Sequence, residues 1–318
     1  MPLNKKVIAQ RNQIIKKYNL KLLKIFDTNE HENYKDVVLV FDPKDKKKKV
    51  LRVGEHRTKN FLYHGYQGKY LVVPKIYKIN TQKGKEFEIE EYILGRMLDT
   101  FIDKKPLVNK ILPNQYMDLL IKSFWEFQQK DALIQIPEIE TLKNKTSKHL
   151  NEAIKLIDDP GRVINLFNNK RVIIFFTNNK YISKWKFAVD NLIITPDNKV
   201  GFIDLARVGK RFWGYDFGWV FWVVWFHMPI SEFKKPTKHF NYLENFFKQI
   251  DKQKPKGIKV DVIFNGYLII LERIIGALYD IAAEISHARK INSQPKKRKV
   301  FINFLNKLLE LTLDKIEK

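Results

Sequence analysis

Residues 187–204 read FAVDNLIITPDNKVGFID. Two short apolar runs flank the turn-forming triplet Pro196-Asp197-Asn198, and this pattern predicts a β-hairpin. Each strand has a polar residue at its outer end, Asn191 before the first and Asp204 after the second. An amide and a carboxylate at the open end of one hairpin are hard oxygen donors. Mg²⁺ takes such donors, and one or two protein groups usually hold it while substrate phosphates complete its shell. Asx residues also cap turns at strand ends. The pair alone therefore leaves two readings open, a metal grip or two local caps.

Toward the N-terminus the pattern is strand-rich. Residues 4–18 predict a basic amphipathic helix, with Val7, Ile8, Ile14 and Ile15 on one side. Strand-like segments follow at 20–27, 34–42, 48–53, 70–80 and 85–93, joined by polar turns. From Gly95 the period changes to that of helices, with segments at 114–130 and 146–169, the latter broken at Asp159-Pro160-Gly161. RVIIFFTN, residues 171–178, reads as a strand. After the hairpin come a helix at 215–227, with Trp219, Trp222 and Phe226 along one face, and helices at 237–250, 258–288 and 298–316. The class is α+β, with a small antiparallel β lobe (1–93) and a larger, mainly helical lobe (94–318) that embeds the hairpin segment (181–206).

The ordered set Asp190-Asn191-Leu192-Ile193-Ile194, then Gly201-Phe202-Ile203-Asp204, then Gly214-Tyr215-Asp216-Phe217 resembles the protein-kinase-like fold. Within that fold it resembles the aminoglycoside phosphotransferase and choline kinase group. The likeness runs over roughly residues 20 to 290, and only 187–218 carries specific motifs. It implies a bilobal architecture, a nucleotide substrate and ATP-dependent phosphoryl transfer to a small-molecule acceptor. It makes Asn191 and Asp204 the Mg²⁺ ligands and Asp216 a structural brace for the catalytic loop. In the small lobe it places a phosphate-binding cation on the third strand, here Arg52, with Val50 on the same face as a wall of the adenine pocket. Glu91, Tyr92 and Ile93 then belong to the linking segment 90–95, whose backbone would meet adenine. The helices around 114–169 and 237–290 would line the acceptor pocket.

Several positions depart from that pattern. Arginine stands where lysine is usual, which adds bulk and a planar fork. A GxGxxG loop is absent, so the turn at 28–33 would cover the phosphates. A glutamate to pair with Arg52 is not evident in 60–75, and Glu55 is the nearest candidate. The largest departure lies five residues before Asn191, where the family has a catalytic Asp and this chain has Lys186. An ammonium donates and cannot accept the proton of an attacking hydroxyl. No Asp or Glu occurs between Gly161 and Val189, which leaves Asp190 as the substitute base. Lys184 and Lys186 read as a solvated pair; the alternative is that Lys186 stabilises the transferring phosphoryl group. Three readings follow: an active phosphotransferase with an altered loop, a pseudokinase that still binds Mg–ATP, and a scaffold that binds nucleic acid.

Composition narrows the field. The chain has 318 residues, no cysteine and a formal net charge of +24. Thiolate metal sites and cysteine nucleophiles are excluded, and a cytoplasmic setting is expected. Residues 1–89 hold 21 Lys/Arg against 9 Asp/Glu, a balance that attracts polyanions and keeps nucleic acid in view. The aromatic residues cluster with aliphatics and do not interleave with the basic runs, which favours a solvated basic surface. PKKRKV (295–300) matches a short import-type signal and also reads as a polar connection between helices. The apolar run 217–228 is shorter than the ~20 residues a bilayer requires, so no membrane partner is expected. The seven histidines form no HExxH pattern, and neither GxSxG nor GxxxxGK[ST] occurs.

Overall fold

The computed structural model describes residues 5–26, 36–54, 65–101, 114–129, 142–178, 180–184, 187, 191–205, 208–285 and 288–318. The turn at 28–33, Glu55, Lys186 and Asp190 lie outside the described residues. The chain forms two compact units, one of residues 1–96 and 193–207, the other of 97–192 and 208–318.

The first unit begins with α1 (Lys5–Lys17), followed by β1 (Lys21–Ile25), β2 (Asp36–Asp42), β3 (Lys47–Val53), β4 (Leu71–Val72), β5 (Ile76–Asn80), β6 (Phe87–Glu91) and β7 (Arg96–Met97). A five-stranded antiparallel sheet runs β1-β2-β3-β6-β5. Alternation decides its faces. Val38, Val40, Leu51, Val53, Phe87 and Ile89 bury on one face with Val7 and Ile14 of α1. A buried ion pair, Arg11 to Asp36 at 2.9 Å, joins α1 to β2 within that layer. The opposite face carries Val50, Arg52, Glu88 and Glu90. The segment 70–80, expected as one strand, is two. Pro74 separates β4 from β5, because it lacks the N–H that a continuous ladder needs.

In the second unit the order is α2 (Asn114–Gln128), α3 (Leu142–Ala153), α4 (Pro160–Phe167), α5 (Lys170–Thr177) and β8 (Tyr181–Ser183). The hairpin strands β9 (Leu192–Ile194) and β10 (Val200–Phe202) come next in sequence and, from Ile193 on, belong to the first unit. After them are β11 (Gly209–Arg211), α6 (Tyr215–His227), α7 (Pro236–Lys252), α8 (Val262–Ala282), α9 (Arg289–Asn292) and α10 (Pro295–Ile316). The expected strand at 171–178 is the helix α5. Asn169 caps it by accepting from the Arg171 N–H, and Val172, Phe175 and Phe176 bury at helical spacing. Ile173 and Ile174 stay exposed on the other side, and they made the run look continuously apolar. The long helix expected at 258–288 starts later, where Asp261 caps the Phe264 N–H, and stops at Ala282 before the left-handed Glu284. PKKRKV is no connection: Pro295 opens α10, and the run forms its first turns.

The aromatic helix α6 is buried around most of its circumference. Its rings meet along one face at the expected spacing but do not stack: Trp219 meets Trp222 edge-on at 5.2 Å, and Trp222 and Phe226 are tilted at 5.0 Å. Phe217 and Phe221 pack edge-on against Phe246 of α7. α8 is long and apolar enough to cross a membrane, but most of it is buried inside this helical core.

Candidate active site

The predicted hairpin forms. Thr195 N–H donates to the Lys199 carbonyl at 3.0 Å, and the Thr195 hydroxyl donates to Asp197 at 2.7 Å, closing the turn. β10 pairs in parallel with β4, Val200 opposite Leu71 and Gly201 opposite Val72, in a sheet ordered β4-β10-β9-β7. Two glycines permit this packing. A Cβ on Gly95 would stand 2.3 Å from the Ile194 carbonyl oxygen, and one on Gly201 would crowd Ile93 at 3.0 Å. Asn191, half-buried, directly precedes β9. Asp204 follows β10 by two residues and adopts a left-handed backbone with φ 54°. A non-glycine residue held there stores about 1 kcal/mol or more of strain, a feature that clusters at functional sites.

The β3–β6 face brings several of the predicted nucleotide residues together. Arg52 stands opposite Glu88 in register and Val50 opposite Glu90. The Arg52 Nε donates to Glu90 Oε1 at 2.7 Å, a diagonal cross-strand pair. The sequence offered no glutamate for Arg52 in 60–75 and only Glu55 nearby; the carboxylate bonded to Arg52 is that of Glu90. Its signal was the alternation of EFEIEE itself, which sets Glu88 and Glu90 on the face that Arg52 uses. Burial alone would lower the Arg52 guanidinium's affinity for its proton. The carboxylates of Glu90, Asp204 and Glu88 outweigh that and hold it above the ordinary arginine value. Asp204 therefore acts on Arg52 electrostatically within the first unit. The Arg52 side chain is 20% exposed and Val50 beside it is buried. Glu91 turns away from that pair: its N–H donates to the Lys75 carbonyl at 2.8 Å, and its carboxylate accepts from the Lys75 N–H. Tyr92 is half-buried and Ile93 is buried.

The second unit contains a sealed polar knot. β8 and β11 pair antiparallel, Ser183 opposite Gly209 and Tyr181 opposite Arg211. Gly214 opens α6 in a left-handed conformation, where a Cβ would strike Ile269 at 2.4 Å, and this turn aims Asp216 back at β8. The Asp216 carboxylate accepts from Ser183 and from the Lys184 backbone N–H, with Arg211 and the Lys184 charge nearby. This contact ties the start of α6 to the end of β8. Burial dominates and pushes the Asp216 pKa up to about 7, against the opposing pull of Arg211, Ser183 and Lys184. Lys184 is fully buried, which corrects the expectation of a solvated lysine pair. The Asp216 carboxylate beside it is the opposite charge that makes its burial tolerable, since Arg211 carries the same sign.

A cleft of about 210 Å³ lies in the same unit, between α5 and the start of α8. Arg171 forms its rim, paired with Asp261 at 2.7 Å and stacked 3.4 Å over the Phe264 ring. Phe175, Tyr181 and Trp213 line it.

No family model matches the sequence, and no curated protein matches it. Solved structures do match in fold. Choline kinase from Cryptosporidium parvum Iowa II aligns over 98% of this chain and 96% of its own, with 12% identity and a TM-score of 0.51. Choline kinase LicA from Streptococcus pneumoniae aligns over 93% and 99%, with 12% identity and a TM-score of 0.50. An aminoglycoside phosphotransferase from Alicyclobacillus acidocaldarius aligns over 98% of both chains, with 9% identity and a TM-score of 0.50. The chain has the α+β, protein-kinase-like fold that its motifs imply.

Proposed function

We propose that this chain is a divergent phosphotransferase, acting in the cytoplasm, that binds Mg–ATP and passes the γ-phosphate to a small-molecule hydroxyl. The observation that carries the proposal is Arg52, a third-strand guanidinium fixed through its Nε by Glu90 and standing in the field of Asp204. The rest of its planar fork suits a phosphate. Val50 would wall the adenine, with Glu91, Tyr92 and Ile93 beside it along the linking segment. Mg²⁺ would be held by the oxygens of Asn191 and Asp204. Among the described residues no cluster of three acidic or histidine side chains could hold a metal. An Mg²⁺ ion of this kind would rely on one or two protein groups and the nucleotide's own phosphates.

In the transfer, the acceptor oxygen bonds to the γ-phosphorus and the bond to the β–γ bridging oxygen breaks, so ADP leaves with that electron pair. The acceptor's proton goes to Asp190 or to water. The Lys186 ammonium would stabilise charge on the moving phosphoryl group, and such transfer depends mainly on positioning and charge. Lys186 also favours a second reading, nucleotide binding without transfer, because it occupies the usual position of the base.

The first test is a thermal shift with ATP and Mg²⁺. Stabilisation that needs the metal and is lost in Asp204→Ala is the expected result, and no shift under any metal condition overturns both readings. The second test is turnover on a panel of hydroxyl acceptors. A native enzyme that turns over supports transfer. Activity created only by Lys186→Asp establishes the binding-only reading.

A further inference from the structure

Residues 285–309 contain seven Lys/Arg and no Asp or Glu. Six of the seven, Arg289, Lys290, Lys296, Lys297, Arg298 and Lys299, fall within eleven residues. The structure gathers them at one elbow. α9 ends, Ser293 and Gln294 turn the chain with N–H groups bonded to the Arg289 and Ile291 carbonyls at 2.8 and 3.0 Å, and α10 begins at Pro295. Ile291 is fully buried and anchors the elbow, while Phe301 and Phe304 fix α10 to the core. Among the described residues none of the six cations pairs with a carboxylate, although lysines elsewhere do so readily, as Lys307 does with Glu310. Burial and the neighbouring Lys290 charge both depress the Lys297 ammonium, so the fold holds like charges together.

Helix stability does not account for this arrangement. A helix N-terminus favours carboxylates, and the first turn of α10 has none while the run Lys296–Lys299 is wholly cationic. The cluster lowers folding stability, which gives it the character of a site for an external polyanion.

The surroundings select among polyanions. Among the described residues the exposed large apolar side chains, such as Leu22, Leu94 and Ile174, all lie outside 285–318, so the described part of the elbow offers no wedge for a bilayer. Among its described residues the elbow exposes no aromatic ring on which unpaired bases could stack, since Phe301 and Phe304 are buried. Unpaired cations without apolar or aromatic neighbours match a regular array of phosphates. We propose that the α9–α10 elbow docks the phosphate backbone of double-stranded nucleic acid by charge, without base readout. This inference is independent of nucleotide binding in the first unit.

The test is fluorescence anisotropy with a mixed-sequence 24-base-pair duplex over 25–200 mM KCl. If the six cations all engage phosphates, log Kd should change with log salt at a slope of about 5, a loss of roughly a thousandfold between 50 and 200 mM. Lys296→Glu, Arg298→Glu and Lys299→Glu together should cut that slope by about half. These changes place carboxylates where the helix dipole favours them, so folding is not at risk. A matched triple at exposed positions, Lys252→Glu, Lys256→Glu and Lys259→Glu, should leave the slope nearly unchanged. Equal weakening by both triples would reduce the effect to bulk charge and overturn the proposal. It would also be overturned by absence of binding at 25 mM, or by binding to anionic vesicles that depends on the elbow while duplex binding does not.

Discussion

The β3–β6 face and the knot around Asp216 are built from the same materials, and they differ in access. On the first, Arg52 is fixed by one cross-strand carboxylate, and a fifth of its side chain remains open. In the second, Lys184, Arg211 and Asp216 are each at most 1% exposed. A charge that keeps some exposure can exchange its surroundings for a ligand. A charge sealed among partners can only hold segments together. The difference suits Arg52 to the proposed phosphate role and Asp216 to architecture, its carboxylate tying the start of α6 to Ser183 and Lys184, two residues before Lys186 in sequence.

The largest effect should come from breaking the knot. Asp216→Ala leaves two buried cations without their carboxylate, and removing one member of a buried ionic set costs about 3–5 kcal/mol. A fall of that size in urea-unfolding free energy at pH 8 is expected. Asp216→Asn, which keeps the shape, should cost less. The Asp216 pKa also gives a sign to the pH dependence. It rises from 3.8 in the unfolded chain to about 7 in the fold, so the folded state binds this proton more tightly. The associated stability is complete below about pH 4 and is lost as pH rises through 7. Wild type should therefore gain stability from pH 8 to pH 5, and Asp216→Asn should flatten that gain. An unchanged gradient in the variant would remove Asp216 as its source.

Glu90→Ala should act on stability less and on ligand binding more. It strips a partly buried guanidinium of its hydrogen-bonded carboxylate, at a cost of about 1–3 kcal/mol. The proposed function adds a consequence that a merely structural pair would lack. Without Glu90 the Arg52 fork loses its alignment, so the Mg–ATP thermal shift should shrink, while Glu90→Gln keeps a hydrogen-bond acceptor and retains more of it. If Glu90→Ala lowers the melting temperature but leaves the nucleotide shift intact, Arg52 is an architectural cation like those of the knot, and the contrast between the two regions disappears.

Much of this contrast was legible in the sequence, for reasons that particular residues make plain. The hairpin could be read because Pro196-Asp197-Asn198 is turn chemistry between two apolar runs, and these are local signals. Arg52 and Val50 could be placed because strand alternation fixes faces. Glu90 was missed because the search followed the family's usual partner region and did not project EFEIEE across the ladder, where register alone decides who meets Arg52. The burial of Lys184 was unreadable, since the carboxylate that offsets it, Asp216, lies 32 positions away in sequence. α5 misled for a simpler reason. A β-branched run whose exposed side carries Ile173 and Ile174 offers no polar beat, and only the Asn169 cap distinguishes a helix from a strand.

The smallest effect tests whether burial, and not ion count, sets the behaviour of sealed charges. A second closed cluster in the helical unit contains His239, its Nε2 3.3 Å from Glu232, with Lys235 also bonded to that carboxylate at 2.9 Å. Glu232 favours the protonated ring, yet burial is the larger influence and lowers the His239 pKa below 6.5. The folded state then binds this proton less tightly than the unfolded chain. Its contribution to stability is present above pH 6.5 and is lost as pH falls toward the folded value, opposite in sign to that of Asp216. In an Asp216→Asn background, which silences the larger titration, the unfolding midpoint should decline slightly from pH 7.5 to 5.5. Adding His239→Gln should abolish that decline. A rise in stability over the same interval, removed by the same substitution, would mean that Glu232 outweighs burial, and that the knot around Asp216 is the exception among the sealed charges of this fold.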